Sequence, residues 1–341
     1  MAINDLTNKS KPSDPGRRRF LFGAGAAAAA AAGVGFSACS PTAPAAPTAA
    51  PITGVGAENN EQQQQEQEFA GKCAFITGGA RGIGFATAEV LARAGANIVL
   101  YDVAEQIEHV RYPLATAEDL ANAKTEIESL GVECIAIQGD VRNGAQLKEA
   151  MDQAVSEFGS LDMVIVNAGI TQVGPLDILS EEEVAIVLDV NLAGAIKTLQ
   201  AAIPIMREQN SGRIVLMSSI TGRAGSAGFP VYSASKWGMI GLAKGTAQLL
   251  GSNNVTCNAV CPSLVNTKLL DNDYVLEALL PDSPTIEAFN ERAKQRHLLP
   301  VGLYEPIHVA NTIRFICSDA AAYISGDVFD IQAGSSALNT A

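Results

Sequence analysis

Short apolar runs alternate with amphipathic segments along most of the chain from about residue 70 onward. A short apolar run bounded by turn residues predicts a buried strand, whereas apolar residues recurring every three or four positions predict a helix. On this basis we expect strands at residues 73–77, 96–102, 161–166 and 213–218, with a helical pattern ending near Arg93. Strands that alternate with helices are typical of an α/β fold.

The segment between Pro262 and Pro306 has a different pattern, in which apolar residues recur at near-helical spacing. These residues are Leu269, Leu270, Tyr274, Leu276, Leu279, Leu280, Ile286 and Phe289. An aliphatic and aromatic lining of this kind favours an apolar ligand over a phosphorylated or strongly charged one. The alternative is that these residues simply pack on the body of the domain.

The first 69 residues have none of this organisation. Five positive and two negative charges lie before Phe20, a net +3, and an uncharged Ala-rich stretch follows from Gly23 to Gly35. The run Arg17 to Leu21 matches the twin-arginine pattern, and a basic start with a modestly apolar middle is typical of an export signal. An Ala-rich soluble helix is the alternative.

Small residues before Cys39 predict lipoprotein cleavage with acylation of Cys39, or else cleavage after a small residue nearby. The Pro/Ala-rich and Gln-rich residues that follow predict a disordered linker. We therefore expect a signal peptide at 1–39, a linker at 40–69 and one domain at 70–341. The mature protein would be periplasmic or anchored facing outward, and a cytoplasmic protein that keeps its front segment is the alternative.

Composition narrows the class of protein. Removing 69 residues from 341 leaves 272, enough for one α/β domain with a full core. The formal net charge of −13 argues against nucleic acid as a partner. The later cysteines lie in apolar runs, which favours buried thiols over disulfides or metal ligands, and we expect no metal site. These cysteines are Cys73, Cys134, Cys257, Cys261 and Cys317.

A glycine-rich turn follows the first predicted strand and leads into a helix. Strand, glycine turn and helix together bring backbone amides up to a pyrophosphate. The residues of this turn are Gly78, Arg81, Gly82, Ile83 and Gly84.

Asp102 ends the second predicted strand, where a carboxylate accepts hydrogen bonds from a ribose 2′-hydroxyl and repels a 2′-phosphate. This favours NAD over NADP, although Asp102 could merely end a strand.

Tyr232 and Lys236 are four residues apart, so on a helix they share one face. A cation held near a phenol lowers its pKa from about 10 and makes the phenol a better base at neutral pH. A proton-transfer group is most useful when its pKa is close to the working pH. The pair therefore predicts a general acid/base, with an ordinary surface helix as the alternative.

Together these motifs resemble the single-domain short-chain dehydrogenase/reductases, over about residues 70 to 334. The resemblance implies a single Rossmann-like, doubly wound parallel sheet of about seven strands flanked by helices. Further residues match the family's pattern in the expected order: Asp140, Val141, Asn167, Ala168, Gly169, Asn191, Ser219, Val265 and Thr267. One departure is Ser263, which stands where the common form has Gly.

The resemblance also implies roles for these residues. Tyr232 would exchange a proton with an alcohol or ketone, Lys236 would lower its pKa and bind the nicotinamide ribose, and Ser219 would orient the substrate oxygen. Asn191 would hold a water in the proton relay. Asp140 and Val141 would contact adenine, residues 167–169 would lie beside the cofactor, and Val265 and Thr267 would hold the nicotinamide amide. A non-catalytic NAD-binding or sensing protein is the alternative.

An insertion at residues 103–115 follows Asp102, and a capping-box pattern at Thr116 to Asp119 predicts the next helix start. The insertion resembles that of the carveol-dehydrogenase-like, mycofactocin-associated branch, in which it is thought to cover NAD so that the cofactor is not readily exchanged. A surface loop without function is the alternative. The resemblance further implies a substrate lid at 263–305, a homotetramer, a small alcohol or ketone substrate, and an external electron acceptor if NAD stays bound.

Overall fold

A computed structural model of the protein describes residues 68–338. The predicted signal peptide, the predicted lipidation at Cys39 and nearly all of the predicted linker lie outside this range.

Seven parallel strands form one sheet in the order β3-β2-β1-β4-β5-β6-β7. The predicted α/β fold with a doubly wound parallel sheet is therefore confirmed. The strands are β1 (Cys73–Thr77), β2 (Asn97–Asp102), β3 (Cys134–Gln138), β4 (Met163–Val166), β5 (Gly212–Met217), β6 (Val255–Pro262) and β7 (Val328–Ile331). The four strands predicted from apolar runs are present: β1 has the predicted bounds, and the ends of the other three differ by at most two residues.

Helices cover both faces of the sheet. They are α1 (Gly82–Arg93), α2 (Ala117–Glu128), α3 (Gly144–Phe158), α4 (Glu181–Leu188), α5 (Gly194–Gln209), α6 (Pro230–Leu250), α7 (Asp273–Leu279), α8 (Ile286–Arg296) and α9 (Pro306–Cys317). One apolar core includes residues of α3, α5 and α6, and a second includes residues of α1, α2 and α9. Because helices cover both faces of the sheet, β1, β4 and β6 are buried throughout.

Two local features shape the helices of this domain. Thr116 and Asp119 form the predicted capping box at the start of α2. A π-helical turn at Asp189–Ala193 joins α4 to α5, so that residues 181–209 form one long helix. This helix is long and apolar enough to cross a membrane, but 56% of its most apolar window is buried inside the domain, as in a core helix.

The first strand, β1, lies in the interior of the sheet, between β2 and β4. From β1 the chain builds outward to β3 and then returns to add β4 on the other side. The carboxyl ends of β1 and β4 thus flank the point where the strand order reverses, and in open α/β sheets this point is a ligand-binding crevice.

Candidate active site

The glycine turn after β1 needs glycine at three positions. Gly78 and Gly82 have φ of +67° and +61°, in the left-handed region that favours glycine. A Cβ on Gly84 would lie 2.0 Å from the carbonyl oxygen of Gly78. The turn therefore packs tightly on the start of α1, and its binding of an anionic group stays a prediction. Ile83 packs against the core behind it.

The segment after β4 is fastened to this glycine turn. The amide nitrogen of the Asn167 side chain donates to the carbonyl oxygens of Thr77 and Gly78, both at 3.0 Å. The Thr77 hydroxyl in turn accepts from the backbone N–H groups of Asn167 and Ala168, at 3.0 and 3.1 Å. The two predicted cofactor-binding segments thus form one rigid wall of the crevice.

Asp102 lies at the end of β2, beside the glycine turn. Its carboxylate accepts from the backbone N–H groups of Ala80 and Ala104, each at 3.1 Å. Burial raises the pKa of Asp102, and the hydrogen bonds from Ala80 and Ala104 oppose that rise. The predicted carboxylate is therefore held in place at the crevice.

The side chain of Asp140 is occupied by a neighbour that sequence reasoning missed. Its two carboxylate oxygens accept from the backbone N–H and from Nε of Arg142, both at 2.8 Å. Val141 is buried and packs on the start of α5, where a Cβ on Gly194 would lie 2.7 Å from its Cγ2. The spacing of Asp140 and Arg142, two residues apart, is the only sequence signal of this pair.

Tyr232 and Lys236 lie together on α6, as predicted. The Lys236 ammonium lies 5.4 Å from the centroid of the Tyr232 ring and donates to the carbonyl oxygen of Met217 at 2.8 Å. Ser219 follows β5 and its side chain hydrogen-bonds that of Tyr232. The sequence-predicted trio is therefore assembled at the carboxyl end of the sheet.

The predicted lowering of the Tyr232 pKa is wrong for this arrangement. Burial raises the pKa of Tyr232 to about 12, and the hydrogen bond with Ser219 only partly opposes the rise. Burial also lowers the pKa of Lys236 to about 8. The physical reason is that both groups are removed from water, while the ammonium donates to Met217 rather than to the phenol.

Asn191 lies in the π-helical turn, a kind of turn found frequently at functional sites. Its side chain exchanges two hydrogen bonds with the backbone of Ile170, at 2.8 and 2.9 Å, and donates to the Ser235 hydroxyl at 3.1 Å. Gly169 lies between Asn191 and Lys236, since a Cβ there would be 3.4 and 3.3 Å from their side-chain atoms. The side chain of Asn191 thus connects the segment after β4 to α6, and its role in holding a water stays a prediction.

The segment after β6 faces the glycine turn. A Cβ on Gly82 would lie 3.4 Å from Cγ2 of Thr267, and Val265 is buried and pairs with Tyr304. Ser263 is not among the described residues with positive φ, so a serine is accommodated where the family commonly has glycine. Its backbone N–H donates to the Tyr304 hydroxyl at 2.8 Å, and its Oγ lies 2.9 Å from Nε2 of His297. Sequence reasoning missed these two partners.

The insertion at residues 103–115 is a packed loop. Ile107, Val110 and Tyr112 are buried in the core that includes α3, α5 and α6. The Gln106 side chain holds the loop together from within, because its amide nitrogen donates to the carbonyl oxygen of Val110 at 2.8 Å. The guanidinium of Arg81, in the glycine turn, donates to the carbonyl oxygen of Pro113 at 2.8 Å. The insertion is therefore joined directly to the predicted phosphate-binding turn.

The five cysteines among the described residues are buried free thiols, as predicted. Cys261 lies close enough to Tyr232 and Lys236 to influence both of their pKa values, a neighbour that sequence reasoning missed. Within residues 68–338, no group of three or more His, Cys, Asp or Glu side chains is arranged to hold a metal ion.

Comparison with known proteins gives similarities over nearly all of the described domain. The chain is 39% identical over 274 residues to an uncharacterized oxidoreductase of Mycobacterium tuberculosis, covering 79% of this chain and 97% of that one. It is 37% identical over 268 residues to (-)-trans-carveol dehydrogenase of Rhodococcus erythropolis, covering 77% of this chain and 97% of that one.

A solved structure agrees with these relatives. Carveol dehydrogenase from Mycobacterium avium in complex with NAD superposes with a TM-score of 0.77 at 34% identity, covering 80% of this chain and 99% of that one. The family model for short chain dehydrogenases matches residues 72–274, which is more than half of the chain. The protein is therefore a member of the short-chain dehydrogenase family, an oxidoreductase by descent and by fold.

Proposed function

We propose that the protein is an NAD-dependent oxidoreductase that interconverts a secondary alcohol and a ketone. The observation that carries this proposal is the assembly of Ser219, Tyr232 and Lys236 at the carboxyl end of the sheet, beside the glycine turn. A dinucleotide in the crevice is supported by the glycine turn that packs on the start of α1 and by Asp102, which is fixed at the end of β2. NAD supplies the hydride chemistry when it is bound.

The protein's own residues supply the proton and the alignment. In the oxidising direction Tyr232 takes the hydroxyl proton of the alcohol, and in the reducing direction it donates that proton to the ketone oxygen. Ser219, which hydrogen-bonds Tyr232, orients the same oxygen and stabilises charge developing on it. The charged Lys236 binds the nicotinamide ribose, and Asn191 holds the segment after β4 against α6.

The carboxylate of Asp102 supports a preference for NAD over NADP, because a 2′-phosphate on the ribose would be repelled by its negative charge.

The insertion supports retention of the bound cofactor. It is packed into the core, and the Arg81 side chain joins it to the glycine turn. Long loops in compact domains are usually functional or disordered, and this one is ordered by buried contacts.

For the substrate we propose an apolar, terpenoid-like alcohol or ketone. The lid segment at 263–305 contains α7 and α8, and its apolar residues divide into two sets. Leu276 and Phe289 are buried, which means that they pack on the body, whereas Leu269, Leu270, Leu279 and Leu280 are only half-buried. The half-buried set leaves apolar surface for a ligand. The two carveol dehydrogenases among the similar proteins support this class of substrate.

One experiment separates the enzyme from a non-catalytic NAD-binding protein. The purified protein is denatured and its bound nucleotide identified by mass spectrometry, and the native protein is then offered carveol with either free NAD or an artificial electron acceptor. We expect bound NAD, and turnover with the artificial acceptor. Bound NAD without turnover of any secondary alcohol or ketone would favour the sensing alternative.

We further propose that the protein is exported by the twin-arginine route, with Cys39 as a potential lipid anchor, and that it acts as a homotetramer outside the cytoplasm with an external electron acceptor. An exported dehydrogenase benefits from a cofactor that is loaded before export and never leaves. Fractionation of cells tests this proposal, and finding the full-length chain in the cytoplasm would favour the alternative. Mass spectrometry of the mature N-terminus decides whether Cys39 is acylated.

A further inference from the structure

Tyr274 of α7, in the lid segment, makes its polar contacts with the segment after β4. Its hydroxyl accepts from the backbone N–H of Val173 at 3.0 Å and lies 3.1 Å from both the carbonyl oxygen of Val173 and Oε1 of Gln172. A hydroxyl has one proton, so it donates to one of these two acceptors at a time. The lid helix is thus tied to residues 172 and 173 by a side chain rather than by main-chain contacts.

The same segment holds the insertion. The buried Gln172 side chain donates through Nε2 to the carbonyl oxygen of His109 at 2.7 Å. The backbone N–H of Thr171 donates to the hydroxyl of Tyr112 at 2.9 Å. Gln172 therefore binds the lid with one end of its amide and the insertion with the other.

Direct contacts between the lid and the insertion complete this junction. The rings of Tyr112 and Tyr274 are stacked, with centroids 6.5 Å apart and planes inclined by 13°. The Arg111 guanidinium lies 5.8 Å from the centroid of the Tyr274 ring and also pairs with the buried carboxylate of Glu183. Stacked aromatic pairs and cations over aromatic rings are both attractive contacts.

We propose that Tyr274 is a positioning residue that makes the lid and the insertion one closing unit, so that NAD is released only when the substrate lid also opens. The inference deepens the proposed retention of NAD and rests on it. The insertion cannot move away from the segment after β4 and from α7 without breaking its contacts with Gln172 and Tyr274. Because coupling between two sites is reciprocal, loosening the lid must loosen the insertion, and loosening the insertion must loosen the lid.

Tyr274→Phe tests this coupling, because it removes the hydroxyl and keeps the stacked ring. The full-length holoenzyme is mixed with excess NAD deuterated on the nicotinamide, and replacement of the bound nucleotide is followed by mass spectrometry after desalting. Because one accepted and one donated hydrogen bond are lost, we expect exchange to be about tenfold faster or more. Tyr323→Phe, at a fully exposed tyrosine, is the matched control and should exchange as the unaltered protein does.

Hydrogen–deuterium exchange supplies a readout that a general loss of stability would not give. In Tyr274→Phe the amides of residues 104–114 should lose protection, while those of α9 keep theirs. In Arg111→Ala the amides of α7 should lose protection, and Arg111→Lys should restore part of it. Unchanged protection of the insertion in Tyr274→Phe, together with unchanged NAD exchange, would overturn the inference.

The two proposals fail in different ways. If the unaltered protein exchanges NAD within seconds, retention of the cofactor is wrong, but the reciprocal protection of α7 and the insertion still decides the coupling. If the unaltered protein keeps its NAD and Tyr274→Phe keeps it equally well, the coupling alone is wrong.

Discussion

The Lys236 ammonium lies 5.4 Å from the centroid of the Tyr232 ring and is bonded to the carbonyl oxygen of Met217. Burial acts on both groups in the direction of the neutral form, raising the pKa of Tyr232 to about 12 and lowering that of Lys236 to about 8. At neutral pH these two pKa values correspond to a protonated phenol beside a charged ammonium.

The first prediction is a pH dependence that differs between the two directions. Alcohol oxidation needs the Tyr232 phenolate, whose fraction grows about tenfold per pH unit below its pKa. It also needs charged Lys236, so the rate should rise up to a pH of about 8 and then level off. Ketone reduction needs protonated Tyr232 and should be level up to about 8 and fall above it.

Initial rates measured in both directions from about pH 6 to about pH 10 check this profile, because this range includes the pKa of Lys236. Lys236→Arg is the informative variant, because an arginine keeps its charge throughout this range. If the Lys236→Arg protein is active and its oxidation rate still levels off at the same pH, the group that titrates there is not Lys236.

The second prediction is that Tyr232→Phe abolishes turnover while NAD stays bound. Removing a general acid/base typically costs about a hundred- to ten-thousandfold in rate. The phenyl ring keeps the packing against Phe229, whose ring centroid lies 6.3 Å away. Steady-state rates and the nucleotide content of the purified variant are the measurements. A Phe variant with normal turnover would rule out the proposed mechanism.

The third prediction concerns the choice of cofactor. Asp102→Ala removes the charge that would repel a 2′-phosphate, so after long incubation with equal NAD and NADP the NADP share of bound nucleotide should rise by about tenfold or more. Asp119→Ala removes a carboxylate from the nearby start of α2 and should leave the share unchanged. Equal effects of the two variants would indicate that only net charge matters, contrary to the proposed contact.

The fourth prediction is that Gly84→Ala prevents NAD from being bound. The new Cβ would lie 2.0 Å from the carbonyl oxygen of Gly78, so the glycine turn and the start of α1 must shift apart. Overpacking of this kind also costs about 1–3 kcal/mol in the free energy of unfolding. Gly225→Ala is the control, because a Cβ there would have no atom within 4 Å. Nucleotide content and thermal unfolding are measured together. A variant that retains stoichiometric NAD would contradict the proposed fit.

Sequence reasoning succeeded where the signal is local. The apolar run of β1, the glycines that follow it and the Thr116 capping box depend on neighbours within a few residues, and the structure confirms them. The fold class followed from the alternation of such elements. The meeting of Ser219 with Tyr232 followed from the family resemblance rather than from spacing.

What sequence reasoning missed depends on residues far apart in the chain. The Gln172 junction joins His109 to Tyr274, and the His297 partner of Ser263 is 34 positions away. The direction of the Tyr232 pKa was wrong because it was inferred from one neighbouring cation. The burial that decides it comes from the whole surrounding fold.

The bond between Asn167 and Gly78 has a consequence for how the protein matures. These residues are 89 positions apart. The hydrogen bond between them forms only after β1 pairs with β4, and β2 and β3 lie between those two strands along the chain. Non-local parallel pairing of this kind is intrinsically slow to fold. The glycine turn and the segment after β4 therefore reach their final arrangement only after this pairing, and a nucleotide that binds between them must bind a chain that has already folded this far.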